Sequence, residues 1–172
     1  MTEPDTTTQF TSLYERHHRQ VYGYAVTRAG RDLADEVVAE TFLIAWRRFG
    51  ALPRREPLPW LLGTARNVVR ERYRAEERQR RIAAEMTAWV EEAGADVADT
   101  VTDRAAVLAA LAGLTEDDRE LLTLTAWHGL EPRAAARVIG CTTATYFVRL
   151  HRARRRLTEA MAAADLQKEP IR

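Results

Sequence analysis

The sequence of 172 residues predicts an all-α fold made of two small helical domains that are joined by an acidic linker. Apolar residues recur at helical spacing along most of the chain, and no segment shows the apolar–polar alternation that is typical of a strand. Gly and Pro lie between the periodic segments, where they end helices. We expect the first domain at residues 9–81, the linker at residues 82–103 and the second domain at residues 104–160.

The N-terminal domain is expected to be a bundle of three or four helices. Residues 8–29 have the apolar spacing of an amphipathic first helix, which Gly30 closes. Asp32 can cap a second helix with the sequence LADEVVAETFLIAWRRF. Residues 50–59, GALPRREPLP, contain three prolines and a glycine and therefore form a loop. The third helix is expected to run from Trp60 to about Arg81.

The third helix separates an apolar face from a basic one. Residues 59–74 read PWLLGTARNVVRERYR, and the spacing of Leu61, Ala65 and Val68 predicts that these residues are buried. Arginines recur every four residues on another face: Arg66, Arg70 and Arg74. Asn67 lies between the two faces. Taken alone, the pattern fits either a solvated basic stripe or a surface that binds nucleic acid.

A second helical set is expected to start near Asp103. Thr115 is followed three residues later by Asp118, which resembles a capping box with Asp in place of the usual Glu. The helix that begins there should end at Gly129. Between the two helical sets, residues 82–103 carry six acidic side chains and no basic one, which is why we assign them to a linker.

The C-terminal domain is expected to be a helix-turn-helix bundle. Pro132 fits the first turn of a short helix, which Gly140 stops. Thr142 or Thr143 then caps a long last helix, ATYFVRLHRARRRLTEAM. A short helix, a tight turn and a second basic helix form the motif that places a helix in the major groove of DNA.

The last helix carries residue types that recognise duplex DNA. Arg pairs bidentately with guanine, and exposed apolar groups contact thymine methyls. Threonines at the start of the helix can meet phosphates. The exposed face is expected to present Phe147, Val148, His151, Arg152 and Arg155. The alternative is an ordinary helical hairpin with a solvated arginine face.

Charge is distributed in blocks along the chain, although the net charge is only +1. Residues 31–46 carry four acids and one Arg, a net −3, whereas residues 47–81 carry eleven Arg and four acids, a net +7. Residues 82–103 carry −6, and residues 131–157 carry seven Arg and one acid, a net +6. Two basic blocks separated by an acidic one predict two contacts with a polyanion.

Motifs of catalysis and metal binding are missing from the sequence. Cys141 is the single cysteine, and the four histidines have no metal-binding spacing. The sequence contains no dinucleotide-binding, Walker A or GxSxG motif, so we expect no catalytic residue, metal or cofactor. The polar N-terminus argues against a signal peptide, and no apolar run approaches the roughly 18 residues of a membrane span. We therefore expect a cytoplasmic protein without membrane insertion.

Two regions of the chain resemble one protein family. The run GLEPRAAARVIGCTTATYFVRLHRARRRL resembles the C-terminal DNA-binding region of bacterial sigma factors of the extracytoplasmic-function (ECF) type. The residues that match are Gly129, Leu130, Ala136, Gly140, Thr145, Arg149, Leu150, Arg152, Ala153 and Arg154. DLADEVVAETFLIAWRRF and PWLLGTARNVVRERYR resemble two segments of the family's N-terminal half, so the resemblance covers roughly residues 9–160. Phe147 and Val148 depart from it, since polar residues usually stand there, and Ala39 replaces a usual Gln at a polymerase contact.

The resemblance implies a sigma factor, which binds core RNA polymerase and directs it to promoter DNA. Asp32, Asp35, Glu36 and Glu40 would face the clamp helices of the β′ subunit, and the β flap would be a second polymerase contact. The −10 element would be bound by Arg66, Asn67, Arg70 and Arg74. The −35 element would be bound by Thr142, Thr143, Thr145, Phe147, Val148, Arg149, His151, Arg152 and Arg155. An anti-sigma factor is a further candidate partner.

Two other classes of protein fit parts of the sequence. A stand-alone helix-turn-helix regulator would bind duplex DNA by itself and ignore polymerase. A sigma mimic that sequesters an anti-sigma factor would not need Asn67 or the arginines around it. Binding to core polymerase discriminates a sigma factor from a stand-alone regulator.

Overall fold

The computed structural model describes residues 5–87, residue 107 and residues 110–166. All regular secondary structure in this part of the chain is helical, which confirms the predicted all-α class. The described helices are α1 (Thr6–Ala29), α2 (Arg31–Arg47), a 3₁₀ turn (Phe49–Ala51), α3 (Pro57–Thr87), α4 (Glu116–Ala126), α5 (Pro132–Ile139) and α6 (Thr143–Leu166). The helices divide into two compact units: α1 to α3 form one, and α4, α6 and most of α5 form the other.

Several helix ends lie where the sequence places them. Gly30 follows α1 with a φ of 79°, and Gly140 follows α5 with a φ of 78°. Positive φ favours glycine, because a Cβ is strained there. The Thr115 side chain accepts a hydrogen bond from the backbone N–H of Asp118 at 3.2 Å, which confirms the predicted cap of α4. Pro132 is the first residue of α5, as expected.

Two predicted helix starts are wrong. Asp32 does not cap α2: the helix begins at Arg31 with Gly30 at the cap position, and Asp32 lies in the first turn. An acidic side chain there still interacts favourably with the helix dipole. The helix α3 begins at Pro57, three residues before Trp60, because proline is well suited to the first helical position. It continues to Thr87, six residues into the segment assigned to the linker.

The rest of the predicted linker lies outside the described residues. The residues that are not described contain Trp89 and also the predicted start of the second helical set near Asp103. A short helical stretch at residues 110–112 precedes α4. The Arg119 side chain donates to the carbonyls of Leu111, Ala112 and Leu114 at 2.9 to 3.1 Å, so that a basic side chain caps the end of this stretch.

In the first unit, α1, α2 and α3 pack against one another in pairs. Tyr24, Val37 and Leu61 are fully buried where these helices meet. An aromatic cluster covers one end of the α1–α2 contact, with Phe10 edge-to-face on Trp46 at a centroid distance of 4.9 Å. Trp46 itself remains partly exposed to solvent.

In the second unit, α4 packs against α6. Tyr146 is fully buried, and its hydroxyl donates to the Leu121 carbonyl of α4 at 2.9 Å. Burial raises the pKa of Tyr146, so the hydroxyl keeps its proton and remains a donor. Asp118 and Arg156 form an ion pair at 2.6 Å between the same two helices. These contacts fix which side of α6 is turned away from the protein.

Tyr146→Phe is expected to lower the free energy of unfolding by about 1 kcal/mol, because the change removes one buried hydrogen bond and keeps the ring. Urea unfolding followed by far-UV circular dichroism measures the loss. Tyr14→Phe is the matched control, since it removes a hydroxyl from a partly exposed ring in the first unit. Equal unfolding midpoints for the two variants would show that the hydrogen bond to Leu121 contributes nothing.

Candidate nucleic-acid interface

The outer face of α6 presents the side chains that the sequence placed there. Phe147 and Val148 are 53% and 52% exposed, and His151, Arg152 and Arg155 are exposed as well. Residues 147, 148, 151, 152 and 155 share one side of the helix, because an α-helix turns once in 3.6 residues. Tyr146, Leu150 and Ala153 are buried on the opposite side. Large apolar side chains exposed beside arginines are typical of a surface that contacts another molecule.

The start of α6 is held by a threonine cap. The Thr142 hydroxyl accepts a hydrogen bond from the backbone N–H of Thr145 at 3.1 Å and lies 2.9 Å from the Thr145 hydroxyl. Thr142 is therefore the cap, which decides between the two candidates that the sequence left open. The Thr143 side chain is half-buried. Thr142 and Thr145 remain exposed beside a helix N-terminus, where phosphates are favoured.

The basic residues of α6 differ in their partners. Arg149 pairs with Asp117 of α4 at 3.5 Å, so part of its role is to hold the two helices together, which the sequence did not indicate. Arg155 pairs with Glu159 one turn later at 3.3 Å, and both side chains are well exposed. Arg152 has no ion pair or hydrogen bond within the described residues. Among the arginines of the outer face, Arg152 is thus the one without a partner in the described residues, and it is available to an external acceptor.

The basic face of α3 is smaller than the sequence predicted. Asn67, Arg70 and Arg74 are exposed, and none of them has a hydrogen bond or ion pair within residues 5–87, 107 and 110–166. Arg66 is only 6% exposed and does not belong to this face. A spacing of four residues exceeds the helical turn of 3.6, so each arginine is rotated by about 40° from the one before it. The row therefore starts at the buried side of α3 and reaches solvent at its later members.

The acidic face of α2 contains two kinds of carboxylate. Asp32 and Asp35 are exposed and have no ion-pair partner in the described part of the chain. Glu36 and Glu40 instead bind Arg72 of α3, with 3.1 Å between Arg72 Nη2 and Glu40 Oε2 and a second contact from Arg72 Nη1 to Glu36 Oε2. Desolvation acts to lower the pKa of Arg72, but the hydrogen bonds to Glu40 and Glu36 raise it above its ordinary value.

Arg72 binds two of the predicted acidic site residues, and sequence reasoning missed this contact. Its position continues the spacing of Leu61, Ala65 and Val68, which are all buried toward the other helices. An arginine at a partly buried position of this series favours an acidic partner, because partial desolvation of a charge is costly unless the charge is paired. The helical spacing of residues 61, 65, 68 and 72 is therefore the feature of the sequence that could have predicted an ion pair between α3 and α2.

Two kinds of feature are absent from the described residues. No group of three or more His, Cys, Asp or Glu side chains lies close enough together there to hold a metal ion. Among the helices described, none is both long and apolar enough to cross a membrane.

Models of known protein families match both halves of the chain. The model of Sigma-70 region 2 matches residues 13–79, and the model of Sigma-70 region 4 matches residues 104–157. The chain is 31% identical over 146 residues to the ECF RNA polymerase sigma factor EcfG of Rhodopseudomonas palustris, covering 78% of this chain and 75% of that protein. The chain belongs to the ECF sigma factors.

Further relatives of this sigma factor come from Mycobacterium tuberculosis and Streptomyces coelicolor. SigC of Mycobacterium tuberculosis is 35% identical over 137 residues, with coverage of 77% of this chain and 72% of that protein. BldN of Streptomyces coelicolor is 30% identical over 137 residues, or 76% of this chain, but the chain spans only about half, 52%, of the length of BldN.

Solved structures show the same fold. The sigma factor RpoE of Bartonella quintana, solved with the anti-sigma factor NepR, superposes with a TM-score of 0.68 at 24% identity, covering 90% of this chain and 97% of that one. CnrH, solved with the cytosolic domain of CnrY, gives a TM-score of 0.63 at 24% identity, with 92% and 91% coverage.

The family membership establishes the general function. A sigma factor binds core RNA polymerase and promoter DNA and directs promoter recognition in transcription initiation. Sigma factors are regulatory subunits of the polymerase and not enzymes. A stand-alone helix-turn-helix regulator is not favoured, because it would not need a region 2 domain.

Proposed function

We propose that this sigma factor binds the −35 element with the outer face of α6. The carrying observation is that Phe147, Val148, His151 and Arg152 share one exposed side of a helix whose other side is buried. Arg152 binds guanine through two N–H groups, and Phe147 and Val148 contact thymine methyls. Thr142 and Thr145 contact phosphates at the start of the helix, and Thr143 supports the cap.

Arg149 and Arg155 have secondary roles in this proposal. Arg149 keeps α6 on α4 through Asp117 and offers its remaining donors to the DNA backbone. Arg155 exchanges its exposed pair with Glu159 for a phosphate, which costs little because solvated i,i+4 pairs contribute only a few tenths of a kcal/mol, about 0.3–0.5.

The exposed face of α3 binds the single strand of the melted −10 element. The Asn67 amide both donates to and accepts from the edge of an unstacked base through two groups held in one plane, whereas a guanidinium can only donate. Arg70 and Arg74, one and two turns further along α3, hold phosphates of the same strand. Arg66 supports α3 from its buried position and does not contact the backbone of the DNA.

The acidic face of α2 binds the clamp helices of the β′ subunit. Asp32, Asp35, Glu36 and Glu40 present four carboxylates within nine residues of one exposed helix. Opposed charge across such an interface accelerates encounter and sets the register of the two partners. The second unit contacts the β flap, and the acidic linker enters the polymerase channel. The working compartment is the cytoplasm, where an anti-sigma factor controls access to core polymerase.

Run-off transcription with purified core polymerase tests the proposal as a whole. Candidate promoters come from a genome-wide map of binding sites for this sigma factor. We expect promoter-specific transcripts that depend on both the −35 and the −10 sequence. Binding to duplex promoters without core polymerase, together with no binding to core, would contradict the proposal and favour a stand-alone regulator.

A further inference from the structure

We infer that Arg72 is a positioning residue for polymerase binding: it holds Glu36 and Glu40 in one orientation, with their outer oxygens ready for a basic partner. The inference rests on the proposed role of α2 in binding polymerase. It adds a residue of α3 to that site, and it divides the four carboxylates into two that are positioned and two that are not.

One guanidinium connects two carboxylates that lie one helical turn apart. Arg72 uses different nitrogens for the two, Nη1 for Glu36 and Nη2 for Glu40. Because the guanidinium is planar and rigid, fixing two of its N–H groups also fixes the side-chain directions of both acceptors. Each carboxylate accepts through Oε2, and its Oε1 has no partner in the part of the chain that the structure describes.

The exposed fractions of the Arg72, Glu36 and Glu40 side chains favour an acidic surface that faces solvent. The Arg72 side chain is 33% exposed, whereas Glu36 is 58% exposed and Glu40 is 41% exposed. The Arg72 side chain is therefore the least exposed of the three. A partner that approaches α2 meets the Oε1 atoms first, and it does not need to displace Arg72 in order to bind them.

The backbone of α3 is tied to α1 next to Arg72. The Tyr73 hydroxyl donates to the Arg28 carbonyl of α1 at 2.9 Å. The Arg72 Nε atom is buried and has no hydrogen-bond partner among the described residues, so the side chain is oriented through its two Nη atoms. Arg70 and Arg74 differ in this respect, since both are exposed and lie on the face that we assign to DNA.

Two effects of Arg72 on binding can be separated by kinetics. A side chain that is already ordered loses less entropy when a partner binds, and effects of this kind appear mainly in the dissociation rate. Charge instead acts on the association rate, and removing Arg72 makes the face of α2 more negative. Loss of positioning is therefore expected to speed dissociation, while association stays equal or becomes slightly faster.

Stopped-flow binding of the full chain to core polymerase, without DNA, measures both rates. Arg72→Met is expected to dissociate about tenfold faster than the wild type, with an association rate within about twofold of it. Arg19→Met is the matched control: it removes the same charged group from an exposed position of α1, and both of its rates should stay within about twofold of the wild-type rates.

A double-mutant cycle separates positioning from a purely structural role. Arg72→Met is also introduced into a variant that already carries Glu36→Gln and Glu40→Gln. In that variant it should no longer change the dissociation rate, because there are no charged acceptors left to orient. If the effect persists there and follows a lower midpoint of thermal unfolding, Arg72 only stabilises the α2–α3 contact and the inference is overturned. Slower dissociation of Arg72→Met would also overturn it, since Arg72 would then compete with polymerase.

The same cycle distinguishes this inference from the proposed function on which it rests. If Glu36→Gln with Glu40→Gln weakens binding to core while Arg72→Met does not, α2 binds polymerase but Arg72 does not position it. If neither change affects binding to core, the assignment of these two carboxylates to the polymerase contact is itself wrong.

Discussion

Replacing Asn67 by alanine is expected to remove most base discrimination at the −10 element. A planar amide with a donor and an acceptor contributes about 1–3 kcal/mol of discrimination between bases, so open-complex formation on a matched promoter should fall roughly 10- to 100-fold. Asn67 is exposed, and its side chain has no hydrogen-bond partner among the described residues. The change therefore removes no hydrogen bond within the protein. The expected loss therefore belongs to DNA binding and not to folding.

The measurement is the rate of open-complex formation by the reconstituted holoenzyme on matched promoters and on promoters with one −10 base changed. Arg70→Ala is the comparison, since Arg70 lies one turn along the same face. Arg70→Ala should reduce open-complex formation on all promoters by the same factor. It should also reduce the slope of log affinity against log salt concentration by about one. If Asn67→Ala also weakened matched and mismatched promoters equally, Asn67 would be a backbone contact.

Replacing Arg152 by alanine is expected to weaken the −35 interaction by about 1–3 kcal/mol, and only where the contacted base is guanine. Arg152 is exposed and makes no ion pair or hydrogen bond in the described part of the molecule, so its guanidinium is available to a base edge. The change should leave the stability of the second unit within about 0.5 kcal/mol of the wild type.

Competition between promoter fragments for the holoenzyme measures this loss, with each −35 base pair changed in turn. Arg149→Ala provides the contrast, because Arg149 is partly engaged with Asp117 of α4. Its removal should affect all −35 sequences alike and lower the unfolding midpoint slightly. Equal behaviour of Arg152→Ala on every sequence would mean that Arg152 holds phosphate, and the base-specific contact would have to lie elsewhere on α6.

Features that depend on a few neighbouring residues were predictable from the sequence. The Thr115 cap of α4 and the glycine stops at Gly30 and Gly140 are local, since each follows from one side chain or from one backbone angle. The start of α2 was predicted wrongly for a related reason. Asp32 is a good capping residue, but Gly30 already ends α1 and leaves only one cap position between the two helices.

The face of α6 was predictable because it depends on spacing alone. Tyr146 and Leu150 lie on the buried side, and the side opposite them must then face solvent. Spacing could not predict a ligand for that face, and the expectation that it binds the −35 element came from the resemblance to the sigma factors. Residue types and periodicity left a solvated arginine face open as an alternative.

Motifs and local residue patterns were sufficient to predict the family, most of the helices and the polar sides of those helices. The tertiary structure alone decided which charged residues are engaged within the protein: Arg66 is buried, Arg149 pairs with Asp117, and Arg72 binds Glu36 and Glu40. The two kinds of feature depend on contacts over different distances along the sequence. Caps and helical faces depend on residues within about a turn of each other, whereas an ion pair between helices depends on which helix packs alongside, 32 to 36 residues away in the sequence.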